Sequence, residues 1–590
     1  MPEEVNFLCE IGTEEIPAGY MMPAIKAIEK ILTDNFNDNR IDFSQVNVYG
    51  TPRRLVMMVS NLAKSQREEV VELKGPSVKV SYDGDNNPTK ALSGFLKGNN
   101  LSVDDVFTKD TGKGEYVFAR KKQEARNTEE IIPVVIDNII KNLPFPKKMR
   151  WGYKNLSFPR PISYFLILFN NKVIPFEIEG ISSSNKTRGH YIQHDKMIEI
   201  KKISQYEKTL KEHSVIVNHV ERKDIIRERL IEAAKKAGVV LKDDEELLDI
   251  VTFLVEDPHI VTCEFKKEFL KIPDIALIAE MKEHQKYFAT RDKEGKLSSK
   301  FLVVSNNPVT ENVIVGNEKV VTARFNDADF FFNEDRKQKL EDRIDSLKNV
   351  LFHKELGSIY DKVERMKDVT AFLSKKLLLD EKTESLIQRA VSLSKTDLNT
   401  AMVIEFTSLQ GQIGTLYALL DGEEEAVARA IDEHYKPRYQ GDKLPENIIS
   451  IAVSLAEKID NLFGSYSVGN IPKGSYDPYA LRRQSNAIVD MLINNEINIS
   501  IKDILTHISK NYKDGEKHIN GIIDFIAARA KTIFLDRGFR YDEIDACLSV
   551  DFSDYLELYR RAKSVHDFRK DDNFSQMLLS FKRMNNIVFD

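Results

Sequence analysis

A change of hydrophobic period near the middle of the chain constrains its fold more than any other feature. Before residue 316, short apolar runs alternate with helical patterns; after 336, the helical period is almost unbroken. A multi-domain α+β protein follows, with a mixed α/β N-terminal half and a mainly α-helical C-terminal half. Between them lies GNEKVVTARFNDADFFFNEDRK, and then Leu340, Ile344, Leu347 and Leu351 at helical spacing. That spacing predicts an amphipathic helix with Lys337, Glu341, Asp342 and Arg343 facing water. Phe330, Phe331 and Phe332 cannot share one helix face, so they are expected to clamp the two halves together.

A chain of 590 residues is too long for one core, and about three to five domains is the expectation. With 42% hydrophobic and 30% charged residues there is no room for long disordered tracts. MPEEVNF is acidic and carries no apolar signal segment, and the apolar run YFLILF is too short to span a bilayer. Cys9, Cys263 and Cys547 are scattered without metal or disulfide spacing, which fits a reducing cytoplasm. A net charge of −6 argues against a uniformly basic surface, yet a local basic groove suffices to bind nucleic acid.

The chain opens as a β-α-β-β unit. VNFLCEI is a strand ended by Gly12. Ile25, Ile28, Leu32 and Phe36 mark a helix over 18–36, and VNVYG and LVMMVSNL are further strands. Glu14 and Glu15 suit a helix N-terminus better than an acid/base couple. TGKGEY lacks the spacing of a phosphate loop and is expected to be a hairpin turn. No nucleotide-binding fingerprint of either Gly-rich type occurs in the chain.

KNLPFPKKMRWGYKNLSFPRP, 141–161, combines Lys141, Lys147, Lys148, Arg150, Lys154 and Arg160 with no acidic residue. Phe145, Tyr153, Phe158 and Trp151, the chain's single tryptophan, are interleaved. Cations for phosphates beside flat rings for unstacked bases compose a single-stranded nucleic-acid surface. The same residues also suit a Pro-rich loop pinned to the core by its aromatics. KTRGHY, with Arg188, is a weaker basic candidate.

Further on, Leu398, Met402, Leu409, Ile413, Leu416 and Leu420 predict one helical face, with Gly411 and Gly414 inside the run marking tight packing. Ile451, Leu455, Ile459 and Leu462 mark another helix. In KGSYDPYALRRQSNAIVDML, Asp477 and Pro478 are placed to start a helix, leaving Arg482 and Arg483 for RNA, for a partner, or for acidic neighbours. Two amphipathic helices close the chain. Tyr555, Leu558, Ala562 and Val565 line the first, beside Arg560, Arg561, Lys563 and Arg569; Phe574, Met577, Phe581, Met584 and Val588 line the second.

LCEIGTEEIP, GNEKVVTARFNDADFFFNEDRK, VLFHKELGSIYDKVERM and KGSYDPYALRRQSNAIVDML together resemble the β subunit of the bacterial two-subunit glycyl-tRNA synthetases. The resemblance runs over essentially the whole chain. It implies an α2β2 enzyme that charges tRNA(Gly) with glycine at the expense of ATP. The catalytic core, with ATP and Mg2+, is then expected on the α subunit, and no cofactor, metal or catalytic residue on this chain. It also implies a degenerate HD-like helical domain. The positions resembling that superfamily's ligands are His353, Thr396, Asp397 and Asp460, with Thr396 where a histidine belongs. RRAKSVHDFRK resembles the start of an anticodon-binding domain that in the family runs on past residue 590. The expected layout is a tRNA-binding α+β region of two or more subdomains over 1–335, an HD-like domain over 336–495, and a helical region over 496–590 leading into an incomplete anticodon-binding domain. An HD-type metal-dependent phosphohydrolase and a non-catalytic helical scaffold are the alternatives.

Overall fold

The computed structural model describes residues 5–589 except 85, 86, 113, 124, 440, 475, 551 and 572. The chain forms two compact units, Met1–Lys266 with Met281–Val321, and Lys267–Glu280 with Thr322–Asp590.

The first unit is built on a seven-stranded sheet. Its strands run Glu177–Ile178, Ile181–Ser184, Ile162–Phe169, Val5–Thr13, Arg54–Ser60 and Gln45–Thr51 across the sheet, with Lys172–Val173 also paired to Ile162–Phe169. Only the pairing of Ile181–Ser184 with Ile162–Phe169 is parallel. Both faces are covered, which is why VNFLCEI is a continuous apolar run with one charge. Phe7, Cys9 and Ile11 meet the helices Ala18–Asp38 and Thr128–Asn142, while Leu8 meets Ile203, Tyr206 and Leu210. Glu10 lies on the second face, fully buried. It accepts from Tyr164, Tyr206 and Thr187, and Arg54 and Glu256 complete the network.

The expected β-α-β-β opening is present. The first strand, however, continues through Gly12, because the Tyr164 ring lies where a Cβ would stand, 2.2 Å away. Glu14 and Glu15 pair with Arg53. The segment TGKGEY is the turn of an antiparallel hairpin, Val106–Asp110 with Glu115–Gln123; Lys113 lies outside the described residues. A separate four-stranded antiparallel sheet includes His259–Glu264 and Leu297–Ser305 and packs on the helix His219–Ala237.

The second unit is helical around Ile448–Ser467, whose residues are nearly all buried. Three expectations are corrected here. Leu340, Ile344, Leu347 and Leu351 do not share a helix: two short 3-10 turns, Glu341–Arg343 and Asp345–Asn349, lead into a short strand, and Leu351 is 71% exposed. The long helix lies earlier, at Glu311–Asp335, and contains the three phenylalanines; Phe332 approaches Tyr417, while Phe330 is 60% exposed with its ring against Phe331. The run from 396 to 420 is likewise four short helical pieces, and Leu420 is exposed. Gly411, at φ +86°, stands before the helix Gln412–Asp421; Gly414 is inside it, pressed against Ile431 and Asp397.

The helix Tyr555–Phe568 buries Tyr555, Leu558 and Ala562, packing near Leu481–Asn494 and Tyr541–Leu548. Along Phe574–Phe589, Met577, Phe581 and Met584 are exposed, and the Val588 side chain lies outside the described ones. Among the described residues no helix is long and apolar enough to cross a membrane.

Candidate nucleic-acid interface

The basic-aromatic segment 141–161 folds as a small hairpin, Met149–Arg150 paired with Ser157–Phe158. Phe145 and Phe158 pack edge to face in the core of the first unit. The Trp151 indole donates from Nε1 to the Phe158 carbonyl at 2.9 Å, which fixes its ring across the hairpin while leaving it half-buried. Two of the aromatics are therefore anchors, as the loop reading required. The rest of the segment is presented outward. Tyr153 is fully exposed after Gly152, which sits at φ +61°, and Lys147, Arg150 and Lys154 meet no acceptor among the described residues. Lys148 donates to the Lys141 carbonyl, Lys141 pairs with Asp137, and Arg160 donates to the Pro159 carbonyl.

A second hairpin stands against the first. Glu177–Ile178 and Ile181–Ser184 are joined by Glu179 and Gly180, both at positive φ (+51° and +79°), the two-residue turn that matches strand twist. Glu179 is an unusual occupant of such a turn, where asparagine or glycine is favoured. Its Oε1 accepts from the amides of both Asn155 and Leu156, stapling the hairpins together. Between them lies a slot of about 400 Å3 including its open mouth, lined by Trp151, Leu156, Phe158, Ile178 and Ile181, with Lys154 and Glu179 as its polar members. The residues from 178 to 181 were not singled out by sequence; Glu-Gly between two β-branched residues was the available signal.

The other candidate cations, Lys563 excepted, are engaged internally. Arg188 pairs with Asp195 and offers its carbonyl to Arg54. Arg482 donates to the Gly474 carbonyl and Arg483 to that of Arg438. Asp477 caps the following helix by accepting from Leu481 and Arg482, but Pro478 precedes that helix instead of lying in its first turn. In the last helices Arg560 pairs with Glu557, Arg569 with Asp542, and Arg561 donates to the Cys547 carbonyl, whereas Lys563 is exposed and unpaired.

The positions resembling metal ligands are not assembled. Asp460 is fully buried and takes four bonds: Arg365 Nε at 2.7 Å and Tyr512 on Oδ1, Lys362 at 2.9 Å and Arg365 Nη2 on Oδ2. Those donors use all the lone pairs a carboxylate offers. Asp397 accepts from the Gly411 amide; burial raises its carboxyl to about 6, against the pull of that bond. Thr396 turns back to the Leu393 carbonyl, and His353 accepts from the Glu355 amide through Nδ1. Nearby, Lys395 reaches both oxygens of Glu457 at 2.7 Å, and Lys458 donates to the His434 carbonyl and to Ser454. Fixed ammonium and guanidinium groups thus hold the buried carboxylates Asp460 and Glu457. Among the described residues no three His, Cys, Asp or Glu side chains are placed to hold a metal ion, so the donor set does not fit one.

Comparison with known proteins decides the family. A family model described as glycyl-tRNA synthetase beta subunit matches residues 7–549. The chain belongs to that family. Its relatives include proteins named glycine–tRNA ligase beta subunit from Clostridioides difficile, 41% identical over 98% of this chain and 85% of the relative. Those from Syntrophotalea carbinolica (39%, 98% and 85%) and Desulforamulus reducens (38%, 99% and 85%) are similar.

Proposed function

We propose that this chain is the β subunit of a glycine–tRNA ligase, binding tRNA(Gly) and presenting it to an α subunit that carries ATP, Mg2+ and glycine. The observation that carries the reading is the family match over residues 7–549, with relatives of one name aligned along 98–99% of the chain. The assembly is α2β2 and cytoplasmic. The contribution of this chain to rate is positional: holding the acceptor end in place converts a two-body encounter into an intramolecular step. Phosphate contacts supply affinity and base contacts the identity. The exposed, unpaired cations Lys147, Arg150 and Lys563 and the half-buried, unpaired Lys154 are the first contributors, with Lys148, Trp151 and Arg160 beside them. Arg188, Arg482, Arg483, Arg560, Arg561 and Arg569 are the second rank, since each exchanges an internal partner for phosphate. A phosphohydrolase reading has no observation in its favour, because Asp460 is saturated by Lys362, Arg365 and Tyr512.

The test is co-purification with an α subunit and aminoacylation of tRNA(Gly) with each chain alone and with both. Charging is expected only from the pair. Charging by this chain alone would overturn the division of labour, and failure to bind tRNA in any combination would overturn the reading.

A further inference from the structure

The slot between the two hairpins goes unexplained by a general phosphate surface. Its floor is apolar, one wall is a tryptophan fixed by its own N–H, and the far wall is a hairpin held by a residue in a strained turn position. The cation that lines the slot, Lys154, lacks a carboxylate partner, so the occupant is anionic along one edge and flat and apolar in its body. A nucleotide has that form. Of the two Glu179 oxygens, Oε1 is taken by the Asn155 and Leu156 amides, while no described group donates to Oε2. A carboxylate oxygen accepts from an exocyclic amine and repels a carbonyl.

Resting on the tRNA reading above, we infer that this slot takes one unpaired nucleotide of the tRNA. Its base lies against Trp151, Lys154 meets its phosphate, and Glu179 favours a base bearing an amino group over uracil.

Trp151 is the only tryptophan in the chain, so its emission reports on this slot alone. The full chain is titrated with tRNA(Gly) and with short oligomers of cytidine, adenosine or uridine, following emission and, in parallel, filter binding. Quenching by tRNA is expected at the binding midpoint, with cytidine and adenosine oligomers quenching more strongly than uridine. Ile178→Glu, checked for folding by circular dichroism, should abolish quenching and weaken binding about 10-fold, the scale of one lost base stack. Glu179→Gln should erase the preference among oligomers. Binding of tRNA with unchanged emission would overturn the slot and leave the proposed function standing. No binding of tRNA or any oligomer would overturn both. If an α subunit alone, without RNA, shifts the emission relative to a Trp151→Phe control, the slot is a subunit contact and the inference falls.

Discussion

The hairpin around Trp151 and the cluster around Asp460 are the two regions the sequence offers as sites, and they differ in what their charges do. In the hairpin segment, Lys147 and Arg150 stand exposed without acid partners. Around Asp460 every charge is inward: Lys362, Lys395 and Lys458 are each at most 4% exposed, Lys362 and Arg365 hold the Asp460 carboxylate, and Lys395 holds that of Glu457. Ligand-like residues in the right order do not make a centre once internal cations have taken the lone pairs. A plain excess of lysine and arginine, by contrast, stays available because nothing nearby neutralises it.

The largest effect should come from breaking the inward cluster. Asp460→Ala leaves the buried Lys362 and the largely buried Arg365 without a counter-charge, and should cost about 3–5 kcal/mol. Replacing Lys147, Lys148 and Arg150 with alanine removes two exposed charges and one half-buried one that bonds only a carbonyl, and should change stability by no more than about 0.5 kcal/mol per site. Thermal and urea denaturation of the two variants measures the contrast; equal losses would erase it.

The reverse contrast belongs to RNA. The same triple alanine variant should weaken tRNA binding and flatten its salt dependence, lowering the slope of log K against log salt by roughly two to three. Asp460→Ala, if folded, should leave that slope alone. Titrations at several salt concentrations decide it. An unchanged slope in the triple variant would make the hairpin a structural loop.

How much of this was legible in the sequence depended on the range of the interactions. The short apolar runs of the strands within 5–60 and the helix over 18–36 are local and could be read directly. The stripe at 340–351 could not, because side chains outbid the helix ladder. Arg343 donates to the Asp335 and Asn399 carbonyls, and Asp421 accepts from the Leu340 amide. The run from 396 to 420 breaks for a similar reason: the Asp397 carboxylate takes the Gly411 amide, in a backbone conformation that favours glycine. The composition of 141–161 identified the outward cations, but not which aromatics were anchors. Its slot needed Ile178 and Ile181, which only the sheet pairing brings near.

A third prediction concerns pH and the buried lysines. Burial lowers Lys458 to about 7 and Lys395 to about 8, in each case against the attraction of Glu457. Both folded values lie below the unfolded one of about 10.5. Between them the unfolded chain holds protons that the folded chain has released. Stability therefore rises with pH from about 7 upward and is lost as pH falls back, by at most about 1.4 kcal/mol per pH unit for each lysine. Buried Tyr435 and Tyr512 are raised by burial and act oppositely at higher pH, so the measurement belongs between pH 7 and 9. Lys458→Met keeps the volume and removes the charge, and should roughly halve the rise. Parallel stability curves for the two proteins would show that Lys458 does not titrate in this way.

The smallest effect is expected at Glu179, where the two hairpins meet. A glutamate at φ +51° is strained, and asparagine relieves part of that, by about 0.5–1 kcal/mol. The same change withdraws the carboxylate oxygen that accepts from Asn155 and Leu156. Those are charge-assisted bonds, but exposed ones, so water replaces them at little net cost. The two terms oppose each other, and Glu179→Asn should move the thermal midpoint hardly at all. What should change is local. With the staple gone, the Asn155 and Leu156 amides should exchange with solvent faster, while those of the strand Val5–Thr13 stay protected. Unchanged exchange at 155 and 156 would mean that the first hairpin holds itself. The turn residue would then owe its strained place to something outside the fold, which makes the outward-facing role of this region harder to dismiss.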